Sequence, residues 1–177
     1  MNYLAHIFLS GNNRKVQIGN FVGDAVKGRT YENYPSGFRE GILLHREIDD
    51  YTDHHPVVRE AIDMLRGDFG RYSGRSLRWF ACGFYGALVL NYRHLPERFK
   101  GFLWHFILTN RLVCYASLSG IERSLEIMVE YKNLGVDPEA AIVFFERNQD
   151  RLQELFDRFL PDVQEKCRLM LEADISC

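Results

Sequence analysis

The chain has 177 residues and a formal net charge of −2, and 46% of its residues are hydrophobic and 26% charged. This length and composition fit one soluble domain that buries a core without disulfide support. They exclude a membrane-spanning helix, because no apolar run reaches about 18 residues. They also exclude a zinc finger, because the four cysteines, at positions 82, 114, 167 and 177, lack the spacing of such a site.

The first residues have neither the basic region nor the apolar stretch of a secretory signal, so we expect a cytoplasmic protein. Charge is spread unevenly, with eight Lys or Arg against two acidic residues between Arg66 and Arg111. A basic segment of this kind suits an acidic partner or an anionic substrate, unless its side chains scatter over separate faces after folding. It contains no nucleic-acid-binding motif, so we expect no nucleic-acid partner. The sequence leaves the oligomeric state open.

Glycine and proline divide the chain into predicted helices. In chain order these helices span residues 2–10, 16–26, 37–51, 57–66, 75–92, 96–112, 121–132 and 138–147, followed by two more that Pro161 separates. A loop is predicted at 31–37 and a glycine-rich connector at 67–74. No segment alternates polar and apolar residues as a half-buried strand does. The sequence therefore predicts an all-α, compact multi-helix bundle that forms one domain over residues 1–177.

The helix predicted at 37–51 carries the densest set of metal-binding side chains. On a helical wheel His45, Asp49 and Asp53 lie at about 0°, 40° and 80°, so they share one face. Ile42 and Ile48 flank them on that face. Burying ionisable groups among apolar residues costs several kcal/mol unless they are paired or bind a metal. The pattern indicates a metal or catalytic site, with a capped helix end and a surface histidine as the alternative.

A second motif, Gly-Asn-Phe-Val-Gly-Asp-Ala-Val-Lys-Gly at 19–28, places Asn20, Asp24 and Lys27 along one side of a short helix. By itself this pattern is also typical of a solvated helix face. His6 lies in an apolar helix, where a histidine is more often part of the core.

Taken together, these segments resemble the acyl carrier protein phosphodiesterase family. The resemblance rests on Asn2-Tyr-Leu-Ala-His6, on the 19–28 motif, on His45-Arg46-Glu-Ile-Asp49-Asp-Tyr-Thr52-Asp53 with His55-Pro56, on Arg71-Tyr72-Ser73-Gly74, on Gly120-Ile-Glu-Arg and on Phe156-Asp-Arg-Phe159-Leu160-Pro161. These motifs extend over nearly the whole chain in a specific order.

The resemblance implies a helical hydrolase related to the HD-type metal phosphohydrolases. Such an enzyme serves fatty acid and lipid metabolism by releasing 4′-phosphopantetheine from holo acyl carrier protein, an acidic partner, with Mn²⁺ or Mg²⁺ as cofactor and without a membrane. Carried over by position, the resemblance assigns catalysis to Asp24, His45 and Asp49, and metal binding to these three and Asp53. It assigns substrate binding to Asn20, Lys27, Arg46 and Arg78, and places His6 and His55 around the metal ligands.

One segment departs from the family pattern, which has an Asp and then an Asp-His pair after the Tyr-Ser-Gly motif. The matching positions hold Arg78, Cys82 and Gly83, and no acidic residue or histidine occurs from 69 to 93. Cysteine is a poor ligand for Mg²⁺ or Mn²⁺.

Two hypotheses follow from this departure. In the first, the protein is catalytically impaired and binds acyl carrier protein or another phosphorylated ligand without turnover. In the second, hydrolysis persists because Arg78 supplies fixed positive charge to a phosphate, or because His94 or His105 compensates for the missing pair.

Overall fold

A computed structural model of the chain describes residues 3–65, 83–114, 117, 119–120, 122–123, 126 and 138–174. Within these ranges every regular element is helical, which confirms the predicted all-α class. We number the α-helices in chain order as α1 Tyr3–Leu9, α2 Arg14–Val22, α3 Ser36–His54, α4 Pro56–Leu65, α5 at 83–90, α6 Glu97–Leu108, α7 Arg111–Cys114, α8 Pro138–Arg147 and α9 Gln149–Asp174. Not one of the described helices combines the length and the apolar character needed to cross a membrane.

The helices near the predicted site differ from the sequence prediction at their ends. The second helix stops at Val22, and the chain continues as a short 3-10 helix, Gly23–Ala25. A second 3-10 helix, Thr30–Asn33, lies in the predicted loop. The third helix reaches His54, so it is one turn longer than predicted and includes Asp53. The helices predicted at 75–92 and 121–132 lie partly outside the described residues.

The prediction that Pro161 separates two helices is wrong. Residues Gln149–Asp174 form one continuous helix with this proline inside it. Buried residues at four-residue spacing, Leu155, Phe159, Val163 and Cys167, form one stripe that passes the proline and packs on α3 and α4. Pro161 itself is exposed, so water can reach the carbonyl that loses its hydrogen bond. Burial of the stripe outweighs the local cost of the proline.

The core has two parts, and α3 passes between them. The first joins α1, α2, the start of α3, α5 and α6, and is rich in aromatic rings such as Phe21 and Phe106. The second joins the end of α3 to α4 and α9. Ile42 belongs to the first part and Ile48 to the second, so His45 lies on α3 where the two parts meet.

Two glycines bring the backbones of α2 and α3 into contact. A side-chain carbon built on Gly19 would overlap the Phe38 carbonyl, and one built on Gly41 would overlap the Val16 carbonyl. Only glycine permits such a close approach of two helices. This close crossing sets the distance between α3 and the segment that follows α2.

Candidate metal centre

Four side chains from three separate elements converge beside the middle of α3. The first helix, α1, contributes His6, and α3 contributes His45 and Asp49 one turn apart. The 3-10 helix after α2 contributes Asp24. The close crossing of α2 and α3 carries this short helix alongside the His45 ring.

The shared carboxylate of Asp49 joins the two imidazoles. Its Oδ1 lies 3.3 Å from His6 Nε2, and its Oδ2 lies 3.3 Å from His45 Nε2. The imidazole rings stack with centroids 4.0 Å apart and planes inclined by 21°. Asp24 Oδ1 also lies 3.7 Å from His45 Nε2. His6, His45 and Asp49 each offer one possible ligand atom, and these three atoms all lie within 4.8 Å of one another.

The imidazoles are buried while the carboxylates reach solvent. The side chains of His6 and His45 are 2% and 5% exposed, whereas those of Asp49 and Asp24 are 36% and 61% exposed. Among the described residues, no ring nitrogen of either histidine has a hydrogen-bond partner of good geometry. Leaving a buried polar nitrogen without a good partner costs about 1–3 kcal/mol, and the two Nε2 atoms have only the long contacts to carboxylates given above, so these two atoms are suited to bind a further ligand.

The protonation states suit cation binding. Burial is the main reason that the pKa of His6 lies below its ordinary value, which keeps the imidazole neutral with a free lone pair. The adjacent His45 imidazole is the main cause that lowers the pKa of Asp24 to about 2. For Asp49, burial raises the pKa, but the contact with His6 and nearby positive charge outweigh it, and the pKa is strongly lowered. Both carboxylates are therefore ionised at neutral pH.

Two residues outside the ligand set shape this centre. Gly23 packs directly against the His45 ring, since a side-chain carbon at this position would overlap its Cβ, Cγ and Cδ2 atoms. Asn20 is fully buried, and its Nδ2 donates to the His6 carbonyl at 3.0 Å and to Ser10 Oγ at 2.8 Å. Asn20 therefore attaches α1 to α2 at the residue that contributes the first imidazole.

The structure brings together Asp24, His45 and Asp49, the three residues predicted to be catalytic, and adds His6 to them. The ring of His6, which was predicted to lie around the ligands, points into the same space as the ring of His45. The spacing of residues around His6 does not distinguish it from a core histidine, and only the resemblance placed it near the ligands. The packing of α1 on α2 is what brings its ring against that of His45.

Two other predicted residues lie apart from the cluster. Asp53 is exposed on α3. A helical wheel places it close to His45, but eight residues of helix separate the two by about 12 Å along the axis. His55 is buried in the second part of the core, where its Nε2 contacts Asp162 at 3.3 Å and its ring packs on Phe159. Its Nδ1 accepts a hydrogen bond from the Val57 amide at the start of α4.

The predicted substrate-binding residues differ in their accessibility. Asn20 is buried, and its side-chain amide is hydrogen-bonded to His6 and Ser10. Lys27 is exposed, and its charge contributes to the low pKa of Asp24 after the larger effect of His45. Arg46 is half-buried and donates to backbone carbonyls. Arg78 lies outside the described residues.

The segment that departs from the family pattern is described only in part. Cys82 lies outside the described residues, and Gly83 is exposed on α5. His94 contacts the ring of Phe38 with centroids 5.4 Å apart, and His105 is exposed on α6. Within the described part of the chain, neither histidine belongs to the group that contains His6 and His45.

The donor set fits a divalent cation. Two imidazole nitrogens and two carboxylates form a mixed nitrogen and oxygen set, which suits Mn²⁺ and other first-row metals better than Mg²⁺, a metal that favours oxygen ligands. Ligand atoms that share one ion with bonds of about 2.2 Å lie at most about 4.4 Å apart. The donor atoms of His6, His45 and Asp49 all lie within 4.8 Å of one another, so at most a small closure of the side chains would let them share one ion.

Comparison with known proteins identifies the family of this chain. A model of the family named acyl carrier protein phosphodiesterase matches residues 1–77 and 64–163. The chain is 26% identical over 189 aligned positions to the protein of that name from Yersinia pestis, covering 95% of this chain and 98% of the relative. Relatives with the same name from Salmonella agona (strain SL483) and Salmonella newport (strain SL254) are 39% and 41% identical over 44% and 40% of this chain, and over 40% and 37% of their own lengths. No solved structure matches the chain. The chain belongs to the acyl carrier protein phosphodiesterase family.

Proposed function

We propose that this protein hydrolyses the phosphodiester bond between acyl carrier protein and its 4′-phosphopantetheine arm, with a divalent cation held by His6, His45, Asp49 and Asp24. One observation carries the proposal. Two buried, stacked imidazoles meet two ionised carboxylates at 3.3–3.7 Å in a chain of this family. The relatives' name supplies the substrate, and the ligand set supplies a reason for the chemistry.

The protein's own residues would bind the cation and orient the attacking water. When bound, a divalent cation supplies Lewis-acid chemistry, which neutralises phosphodiester charge and lowers the pKa of water. His6, His45 and Asp49 would hold the cation, and the more exposed carboxylate of Asp24 would complete the set beside it. A carboxylate with a pKa of about 2 is a weak base, so Asp24 orients the attacking water by accepting a hydrogen bond from it. The exposed ammonium group of Lys27 contributes positive charge for a phosphate oxygen.

The proposed ligand set takes no residue from the departing segment at 69–93. All four side chains come from α1, from the 3-10 helix after α2, and from α3. One cation therefore has its protein ligands without any residue of the departing segment. We infer that a single-metal site suffices for hydrolysis in this chain, and that a second cation is not needed.

The test is incubation of holo acyl carrier protein with the full chain and Mn²⁺, followed by intact-mass measurement of the carrier. We expect loss of the phosphopantetheine mass, and no loss after chelation of the metal. His45→Ala and Asp49→Asn are expected to lower the rate by at least about a hundredfold. Asp53→Asn is the matched control, because it removes an exposed carboxylate of α3 one turn after Asp49. This variant should retain the wild-type rate of hydrolysis. An unchanged carrier mass at stoichiometric wild-type protein would contradict the proposal.

A second candidate function is binding of the carrier without turnover. The observation that favours it is the absence of any acidic residue or histidine from 69 to 93, where the family pattern has an Asp-His pair. This alternative predicts salt-sensitive binding of holo carrier with no change in its mass. Titration calorimetry at low and high salt, run beside the mass assay, separates the two functions.

A further inference from the structure

Arg46 follows His45 on α3, and its guanidinium group leaves the helix to contact a neighbouring loop. Its Nη2 donates to the carbonyl of Val26 at 3.0 Å and to the carbonyl of Gly28 at 2.7 Å. Its central carbon lies 5.2 Å from the centre of the Tyr31 ring. Arg46 was predicted to bind substrate, but all three of these contacts are made within the protein.

The loop at 26–28 joins the element that carries Asp24 to the next 3-10 helix. The Val26 amide donates to the Gly23 carbonyl at 3.0 Å, and both the amide and the hydroxyl of Thr30 donate to the Lys27 carbonyl. The loop carbonyls of Val26 and Gly28 find their donors on Arg46. The contact with Val26 is half-buried, so water replaces this donor poorly, whereas the Gly28 carbonyl is exposed and its bond to Arg46 ties the loop to α3. Loss of the guanidinium would therefore loosen this segment from α3.

Asp24 depends on this segment for its position. Three of the four proposed ligands lie on α1 and α3, which are held by the core, whereas Asp24 lies on a three-residue 3-10 helix. Its side chain is 61% exposed and makes its ion-pair contact with His45 at 3.7 Å. Its neighbours Gly23 and Val26 are buried, but its own side chain is not, so the attachment of the loop on its C-terminal side helps to set how closely the carboxylate approaches the centre.

We propose that Arg46 is a positioning residue, which clamps residues 26–28 and the Tyr31 ring to α3 so that Asp24 and Lys27 stay beside His45 and Asp49. Its importance for activity rests on the proposed function, but the clamp itself does not. Arginine suits this task because its planar group donates several hydrogen bonds and stacks on an aromatic ring at the same time. A lysine could reach one carbonyl but could not reproduce the whole arrangement.

The primary test is amide hydrogen exchange on the metal-free full chain, followed by mass spectrometry of peptides. Arg46→Gln is expected to accelerate exchange at residues 23–34 by at least about tenfold, because local opening of this segment becomes easier, while peptides from α9 stay unchanged. Arg46→Lys should give a smaller acceleration. Arg39→Gln, an exposed arginine two turns earlier on α3, is the matched control and should leave exchange at 23–34 as in the wild type.

A second measurement uses Mn²⁺ alone as the probe, with bound and free ion distinguished by electron paramagnetic resonance. We expect Arg46→Gln to weaken Mn²⁺ binding by about 10- to 100-fold, and Tyr31→Phe to retain it because the ring remains. Unchanged exchange at 23–34 in Arg46→Gln would overturn the clamp, and so would equal acceleration in every helix, which would reveal general destabilisation. An effect of Arg46→Gln confined to the KM for the carrier, with exchange and Mn²⁺ binding intact, would instead make Arg46 a substrate ligand. Failure of the wild type to release phosphopantetheine would refute the proposed function and leave the exchange result to decide the clamp.

Discussion

Gly23→Ala is the most discriminating single change, because it adds one methyl group directly against the His45 ring. The backbone of Gly23 is right-handed helical, with φ −51° and ψ −41°, so alanine is allowed there and should even gain about 0.5–1 kcal/mol from its smaller loss of entropy. The added carbon would nevertheless overlap three atoms of His45, a residue held in the core. Forcing an extra methyl group into such a contact costs about 1–3 kcal/mol, so the steric cost exceeds the backbone gain.

This cost should appear in metal binding as well as in stability. Either the imidazole moves away from Asp49 or the 3-10 helix moves away with Asp24, and both changes separate proposed ligands. A net cost of about 1.4 kcal/mol corresponds to a tenfold loss in an equilibrium constant. We therefore expect Gly23→Ala to weaken Mn²⁺ binding by about tenfold or more, and to lower the midpoint of thermal unfolding of the metal-free protein.

The matched control is Gly101→Ala. Gly101 lies in α6, and a side-chain carbon there would meet no atom within 4 Å. Alanine should stabilise this helix by up to about 1 kcal/mol and leave Mn²⁺ binding unchanged. Calorimetric titration of Mn²⁺ and thermal unfolding by circular dichroism measure both quantities. If Gly23→Ala matches Gly101→Ala in both, the packing of Gly23 against His45 does not shape the centre.

Three further predictions test the surroundings of the centre. Asn20→Ala should lower the free energy of unfolding by about 1–3 kcal/mol in urea, because it removes two buried hydrogen bonds while the His6 carbonyl still accepts from Ser10 Oγ. A loss below about 0.5 kcal/mol, on the order of an exposed substitution, would contradict this. His55→Ala should cost at least about 1 kcal/mol, because it loses the hydrogen bond at the start of α4 and the ring packing on Phe159, while retaining wild-type Mn²⁺ affinity. Weaker Mn²⁺ binding would place His55 at the metal centre instead. Burial raises the pKa of Cys167 to about 12, so iodoacetamide at pH 8 should leave this thiol unmodified until urea unfolds the protein, whereas peptide mapping that finds it modified in the folded protein would contradict its burial.

The sequence was sufficient for the fold class, and it named most of the residues of the proposed ligand set. The spacing of His45 and Asp49 marks these two residues because one turn of helix places them on a shared face. Asp24 was named through the resemblance to the family, since its own motif is also typical of a solvated helix face. Helix class follows from glycine and proline positions and from apolar periodicity, which are local properties of the chain. The family follows from the order of the motifs, and the family match confirms it.

Only the tertiary structure decided which distant groups join this face. A helical wheel gives the angle of Asp53 but not the distance it has moved along the axis, and it contains nothing about α1, which carries His6 to the centre. The continuity of α9 through Pro161 was likewise decided by the buried stripe that packs on α3 and α4. Local pattern fixes what a segment can form, but contacts between segments determine which side chains meet, because burial energy is realised only when those segments pack together.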